Sequence, residues 1–221
     1  PPAAAMIACV QGSTATDRKH PYGLQPGDML GFSAADLSGA LINLGTWGWP
    51  GSGLSHVGLV VERPASDGPH AGELVLVEST CLVRSKCIYQ RRRICGVQAQ
   101  HMLPRVAGYC GKVWRYQLAE PLSSFESRVL TRFCLSHLGK TYDWRGAWAA
   151  RDLAGALIRR LMCAPAGQSG LHAIFCSELV AAALNEIKRF PTLKPESWSP
   201  NRLGRATIDR GVYLPSPLRI K

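Results

Sequence analysis

The sequence predicts an α+β domain in which an antiparallel sheet packs against helices. Short apolar and β-branched segments dominate the chain up to Leu118. Amphipathic segments with helical periodicity dominate the second half, and no alternation of strand and helix links the two parts. The 221 residues, of which 46% are hydrophobic, suffice for a core that needs neither metals nor disulfides.

The strand candidates follow one another in the first half. Turn chemistry in QPGDMLGF leads into a short apolar strand. The segments SHVGLVVE and ELVLVEST are predicted to be buried strands, with the hairpin-like loop RPASDGPHAG between them. Two further strand candidates are KCIYQRRR and KVWRYQL.

Helices are predicted from stripes of apolar residues. An early helix is expected in ADLSGALINLG, with Gly45 as its stop, and the loop TWGWPGSG follows it. In the second half, SSFESRVLTRFCLSHLG is expected to start at a Ser124 cap and to end at Gly139. The next helices are WRGAWAARDLAGALIRRLMC and CSELVAAALNEIKRF, the latter stopped by Pro191.

The formal net charge of +11 favours anionic partners: nucleic acid, an anionic membrane surface or an anionic polymer. The basic runs at 91–93 and 159–160 are typical of solvated faces, and no nucleic-acid-binding signature accompanies them. No apolar run is long enough for a transmembrane segment, and no secretory signal peptide is recognised at the N-terminus.

The eight cysteines include no CxxC pair, and no His–x–His arrangement accompanies them. The sequence therefore predicts no metal site and no cofactor. We expect mostly free thiols in a chain synthesised in a reducing cytoplasm.

Three residues suggest a nucleophilic cysteine site. Cys176 opens a predicted helix, where the dipole and unpaired N–H groups favour a thiolate. His56 begins a buried strand and is either a core side chain or the general base of a site. Glu78 ends an apolar run and could orient the imidazole of His56, although it could pair with an arginine instead.

Five short motifs in a fixed order resemble the permuted NlpC/P60 cysteine peptidases, which include the YiiX-like proteins. The motifs are PGDMLGF, SHVGLVV, VEST, LGKTYDW and FCSELVAAAL. The resemblance implies a circularly permuted papain-like fold with the nucleophile at a helix N-terminus. By position it implies Cys176 as nucleophile, His56 as general base and Glu78 as the residue that orients the histidine. Tyr142 matches a tyrosine that lines the site and could donate to the oxyanion, although packing is an equal alternative. Asp28 matches a structural position that closes the turn into the first strand.

The resemblance spans about residues 25–203, which divides the chain into an N-terminal arm (1–24), a catalytic domain (25–203) and a C-terminal extension (204–221). It implies amide hydrolysis, most simply of peptidoglycan stem peptides, by an enzyme that a phage particle could carry. One alternative is a lipid or acyl amidase, thioesterase or acyltransferase. Another is a virion or assembly protein with a relic site, whose two terminal arms lie on neighbouring proteins. Trp47 and Trp49 could line a substrate cleft next to His56 or, equally, pack in the core or in a lid, and His172 is a weak catalytic candidate.

Overall fold

The strands form one antiparallel six-stranded sheet with the order β4-β3-β2-β1-β5-β6. A computed structural model describes residues 21–33, 53–81, 85–142 and 174–221. The strands are β1 (Met29–Ser33), β2 (His56–Glu62), β3 (Leu74–Thr80), β4 (Gly96–His101), β5 (Lys112–Tyr116) and β6 (Leu218–Arg219). A mixed architecture with an antiparallel sheet agrees with the predicted α+β class, whereas the permuted papain-like arrangement stays a prediction.

Helices cover both faces of this sheet. The described helices are α1 (Met102–Ala107), α2 (Ser124–Ser136), α3 (Cys176–Glu186) and α4 (Pro200–Asp209). Side chains alternate along each strand, so α2 and α3 pack on the face that carries Leu59 and Val77. The smaller α1 packs on the opposite face, where Leu30, Val60 and Leu76 are buried with its own apolar residues.

The predicted strands in MLGF, SHVGLVVE, ELVLVEST and KVWRYQL are confirmed, but the candidate KCIYQRRR is wrong. Residues 85–94 form turns, in which Cys87 N–H donates to the Arg92 carbonyl and Arg91 has a positive φ of 53°. The strand at this place is β4, GVQAQH, whose Gln98 and Gln100 are buried. These two amides bond to each other and to backbone or serine partners, so a buried strand carries polar residues that hide its pattern.

Two helices were not predicted, and two predicted boundaries are wrong. The short α1 has Pro104 in its middle, and α4 begins directly after its cap, Ser199. The cap of α2 is Ser123 rather than Ser124, because Ser123 forms a reciprocal capping box with Glu126. Helix α3 ends at Glu186 instead of continuing to Pro191, since Lys188 adopts a positive φ of 59° that closes the helix end.

A disulfide between Cys81 and Cys95 departs from the expectation that thiols are mostly free. Thr80 and Gly96 pair directly across β3 and β4, so the two cysteines that flank this pair come together, with Cα atoms 4.0 Å apart. Among the described cysteines, Cys87, Cys110, Cys134 and Cys176 are free.

The C-terminal residues lie on this domain. Helix α4 crosses the predicted boundary between 203 and 204, the buried Tyr213 hydroxyl donates to the Gly27 carbonyl, and β6 pairs with β5. A role of either terminal arm in assembly stays a prediction.

Several predicted features lie outside the described residues: most of the arm 1–24, the helix ADLSGALINLG, Trp47 and Trp49, the helix from Trp144 to Cys163, and His172.

Candidate active site

Cys176 is the first residue of α3, and its approach is tied to the sheet. The Ile174 N–H donates to the Thr141 carbonyl, and the Ser79 hydroxyl donates to the Ile174 carbonyl. Glu178 in the first turn accepts a hydrogen bond from the Phe175 N–H, which satisfies one donor at the helix start. The thiol is therefore held at a helix N-terminus, as the sequence predicts.

The sulfur of Cys176 lies where β2 and β3 separate. Pairing between these strands runs from Glu62–Leu74 to Leu59–Val77 and does not continue to Val57. The next N–H on that edge of β2, from Val57, donates instead to the Cys176 sulfur, as does the N–H of Ser177. Strand β2 and the first turn of α3 thus each provide one backbone donor for a thiolate.

The last helix is tied to the chain that enters β2. Asn201 of α4 accepts from the Leu54 N–H at 2.7 Å and donates to the Leu54 carbonyl at 3.1 Å. The Ser177 hydroxyl donates to the Trp198 carbonyl at 2.6 Å, which ties α3 to the segment before α4. Leu54 lies two residues before His56, so α4 holds the chain that enters β2.

His56 and Glu78 are joined across the neighbouring strands. The Nε2 atom of His56 lies 2.7 Å from Oε2 of Glu78, whose side chain is fully buried. Both side chains point to the α1 face, because a Cβ on Gly58, which alternates with His56, would contact the Glu78 Cβ. Since Nε2 is engaged by Glu78, Nδ1 is the ring nitrogen available to Cys176.

The titration of His56 and Cys176 reflects their mutual interaction. Burial lowers the pKa of His56, but the charge of Cys176, a hydrogen bond with its sulfur and the Glu78 carboxylate together raise it to about 9. Burial raises the pKa of the Cys176 thiol, yet the His56 charge and hydrogen bond and the two backbone donors lower it overall. This arrangement favours a thiolate–imidazolium pair at neutral pH.

Arg105, on α1, is a residue of this site that the sequence analysis missed. Its Nε lies 2.6 Å from Oε1 of Glu78 and its Nη2 lies 2.9 Å from Oε2. Burial raises the pKa of Glu78, but the His56 hydrogen bond and the Arg105 charge lower it to about 2. The two alternatives for Glu78, orienting the histidine or pairing with an arginine, therefore occur together. No local motif marked Arg105, because it lies on a short helix interrupted by proline.

Two other predicted positions have clear places in the fold. Tyr142 is half-buried, its N–H donates to the Cys95 carbonyl, and it follows Thr141, the partner of Ile174. Its role at the oxyanion stays a prediction. Asp28 is buried and accepts from the Gln25 N–H, the Leu118 N–H and Arg115, which agrees with the predicted structural role in the turn.

A cleft of about 380 Å³ lies near the start of β3 rather than at this site. It is lined by Leu24, Glu73, Leu74, His101, Met102, Leu103 and Pro104.

Within the described residues, no three His, Cys, Asp or Glu side chains come together as metal ligands. None of the helices in the described ranges is long and apolar enough to span a bilayer.

Comparisons with known proteins give a structural likeness alone. No family model matches the chain, and no curated protein matches it. The chain is similar to the crystal structure of the metalloprotein YiiX from Escherichia coli O157:H7, DUF1105. The two share 18% sequence identity over 88% of each chain, with a TM-score of 0.49. This solved structure is from the YiiX-like group that the sequence motifs resemble.

Proposed function

We propose that this chain is a cysteine hydrolase that cleaves an amide or ester bond through a thioacyl intermediate. The observation that supports the proposal is the chain of contacts from Cys176 at a helix N-terminus to His56 and from His56 to the buried Glu78. A nucleophilic cysteine needs a base within reach and a group that orients that base. These three side chains have that order.

In the first half of the reaction, the Cys176 thiolate attacks the carbonyl carbon and the oxygen becomes an oxyanion. The N–H groups of the first turn of α3 are suited to stabilise it, and the Tyr142 hydroxyl is a further candidate donor. The bond to the leaving group breaks as protonated His56 gives its proton to the departing nitrogen or oxygen. The product is a thioester on Cys176.

In the second half, neutral His56 takes a proton from water, and the hydroxide attacks the thioester carbonyl. The carbon–sulfur bond breaks, Cys176 leaves as a thiolate and the acid is released. Glu78 stays ionised throughout and fixes which nitrogen of His56 faces the sulfur. An acceptor other than water at this step would make the enzyme an acyltransferase.

For the substrate, we propose an amide in peptidoglycan stem peptides, in a cell-wall hydrolase that a phage particle could carry. The net charge of +11 supports attraction to an anionic polymer of this kind. The alternative acyl substrates use the same chemistry, so they belong in the same assay.

The test incubates the full chain with purified muropeptides and, separately, with lipid amides and thioesters, and identifies products by mass spectrometry. We expect Cys176→Ala to reduce the turnover rate at least about 10³-fold, because the covalent step is lost. Cys110→Ala changes an exposed free cysteine and is the matched control, which should retain full activity. Turnover by Cys176→Ala at the wild-type rate would disprove the nucleophile assignment.

A thiol probe tests the same site without a substrate. Peptide-resolved labelling with iodoacetamide at pH 6 should modify Cys176 faster than Cys134, because burial raises the pKa of the Cys134 thiol to about 12. His56→Ala should remove the selectivity for Cys176. Equal labelling of all thiols would instead support a structural protein with a relic site.

A further inference from the structure

The inference concerns Arg105 and rests on the proposed function. We propose that Arg105 is a positioning residue that balances the charge of the site and so sets the pH range in which Cys176 is a thiolate. Arg105 acts through Glu78 and His56 and need not touch a substrate.

The geometry of the Arg105–Glu78 pair is specific. Two guanidinium nitrogens face the two carboxylate oxygens at 2.6 and 2.9 Å, which is the bidentate arrangement that fixes a carboxylate plane. The guanidinium carbon also lies 4.6 Å from the ring centre of Phe32 and 5.4 Å from that of Tyr109. Arg105 is therefore held by two rings while it holds Glu78 toward His56.

The charges alternate along the site. Arg105 is positive, Glu78 negative, protonated His56 positive and the Cys176 thiolate negative, so the reactive state has no net charge. The Arg105 side chain is 12% exposed and that of Glu78 is 0% exposed, so solvent screens this pair poorly. Removing one member leaves an uncompensated charge among buried groups.

The surrounding charges are few within the described residues. The hydrogen-bond partners of the Glu78 carboxylate are His56 and Arg105. Glu178 lies on the first turn of α3, and Lys140, which interacts with it electrostatically, lies beyond α2. His101 precedes the first residue of α1. At the other end of this helix, the Lys221 ammonium donates to the Ala107 and Tyr109 carbonyls. Tyr109 presents its ring to Arg105.

The expected direction of the shift follows from electrostatics. Without Arg105 the site is more negative, so the Cys176 thiol and the His56 imidazolium both hold their protons more tightly. The pH midpoint for forming the thiolate and the pH midpoint for losing the imidazolium proton should therefore both rise. Glu78→Gln removes a negative charge and should lower both midpoints. A merely structural role of Arg105 predicts no such opposite pair of shifts.

The experiment measures the iodoacetamide alkylation rate of the Cys176 peptide in the full chain from pH 4 to 10. We expect Arg105→Met to raise both midpoints by about 0.5–1 pH unit. Arg105→Lys should restore most of the wild-type profile, because it keeps the charge. The double variant Arg105→Met/Glu78→Gln restores neutrality, so its midpoints should lie between those of the single variants.

Arg63→Met is the matched control. Arg63 is 13% exposed, pairs with Asp67 and Glu73 and lies over the Tyr89 ring, but belongs to the loop after β2. Its removal should leave the Cys176 profile unchanged. If Arg105→Met does not fold, the double variant Arg105→Met/Glu78→Gln, which leaves neither charge unpaired, still tests the charge model, because its midpoints should lie above those of Glu78→Gln alone.

The outcomes separate the two proposals. A wild-type Cys176 that alkylates only at the pH of an ordinary thiol overturns the proposed function. An activated wild-type thiolate with unchanged or lowered midpoints in Arg105→Met overturns the role of Arg105 alone. Upward shifts in Arg105→Met, downward shifts in Glu78→Gln and an unchanged Arg63→Met support it.

Discussion

The buried carboxylate of Glu78 is hydrogen-bonded by one histidine and one arginine. The same contacts therefore affect both the stability of the fold and the chemistry of the site. Its two oxygens accept three hydrogen bonds, from Nε2 of His56 and from Nε and Nη2 of Arg105. A buried carboxylate without such partners would be strongly destabilising or would be protonated. The ionised state of Glu78 is therefore part of the folded structure as well as of the site.

Glu78→Gln should lower the free energy of unfolding at neutral pH by roughly 2 kcal/mol. The pKa of Glu78 in the fold is about 2, below its ordinary 4.5, so ionisation stabilises the fold at pH values above 4.5. That contribution is lost as pH falls from 4.5 through about 2. Urea unfolding of both proteins from pH 7 to pH 2.5 should show the difference shrinking with acid, and a constant difference would contradict this account.

The paired titration of His56 and Cys176 adds no such pH dependence to the stability. Between an ordinary histidine pKa of 6.5 and the His56 pKa of about 9, the fold carries one proton on the imidazole. The unfolded chain carries one proton on the thiol in the same range. The pair therefore binds no net proton on unfolding and adds no slope to the stability–pH curve there.

At the scale of elements, each helix is anchored by a different device. Helix α2 begins with the Ser123–Glu126 capping box, and Arg189 beyond α3 donates to the Glu126 carboxylate at 2.7 and 3.1 Å. Helix α3 begins at the gap between β2 and β3, where the sheet supplies partners for its first residues. The start of α3 is therefore determined by tertiary structure and that of α2 largely by local sequence.

Ser123→Ala should lower the free energy of unfolding by about 1 kcal/mol, because the Glu126 N–H loses its acceptor at the helix start. Ser124→Ala changes the neighbouring exposed serine, which the sequence predicted as the cap, and should be nearly neutral. Thermal unfolding of both variants beside wild type measures the difference. Equal destabilisation by the two substitutions would show that the cap is not Ser123.

At the scale of the whole molecule, the end of the chain completes the core. Tyr213 is buried, its hydroxyl donates to the Gly27 carbonyl at 3.0 Å, and its ring meets that of Tyr116 edge-on. The bond joins the turn before β1 to the segment after α4. The first and last described segments are thus linked inside one structure.

Tyr213→Phe should destabilise the fold by about 1–2 kcal/mol, because the buried Gly27 carbonyl loses its donor while the ring packing remains. Tyr22→Phe, at a tyrosine that is 41% exposed, is the control and should change stability by less than about 0.5 kcal/mol. Denaturant unfolding measures both stability changes from the shift of the midpoint, provided that the dependence of the unfolding free energy on denaturant is the same in all three proteins. A neutral Tyr213→Phe would mean that water replaces the hydroxyl.

The sequence predicted the parts of this molecule whose signals are local. Apolar strands such as SHVGLVV and ELVLVEST, and the amphipathic α2, carry their own periodicity. The sequence did not predict β4 because its buried glutamines interrupt the apolar pattern, and it did not predict α1 because that helix is short and contains proline. Cys176, His56 and Glu78 came from motif order, whereas Arg105 is recognisable only once α1 is seen against β3.

The Asn201–Leu54 contact has a consequence for the order of events during synthesis. Leu54 and His56 leave the ribosome well before Asn201, which holds both backbone groups of Leu54. Cys176 also arrives long after β2, whose Val57 N–H donates to its sulfur. The contacts that we propose to activate Cys176 can therefore form only after both β2 and α4 have been synthesised.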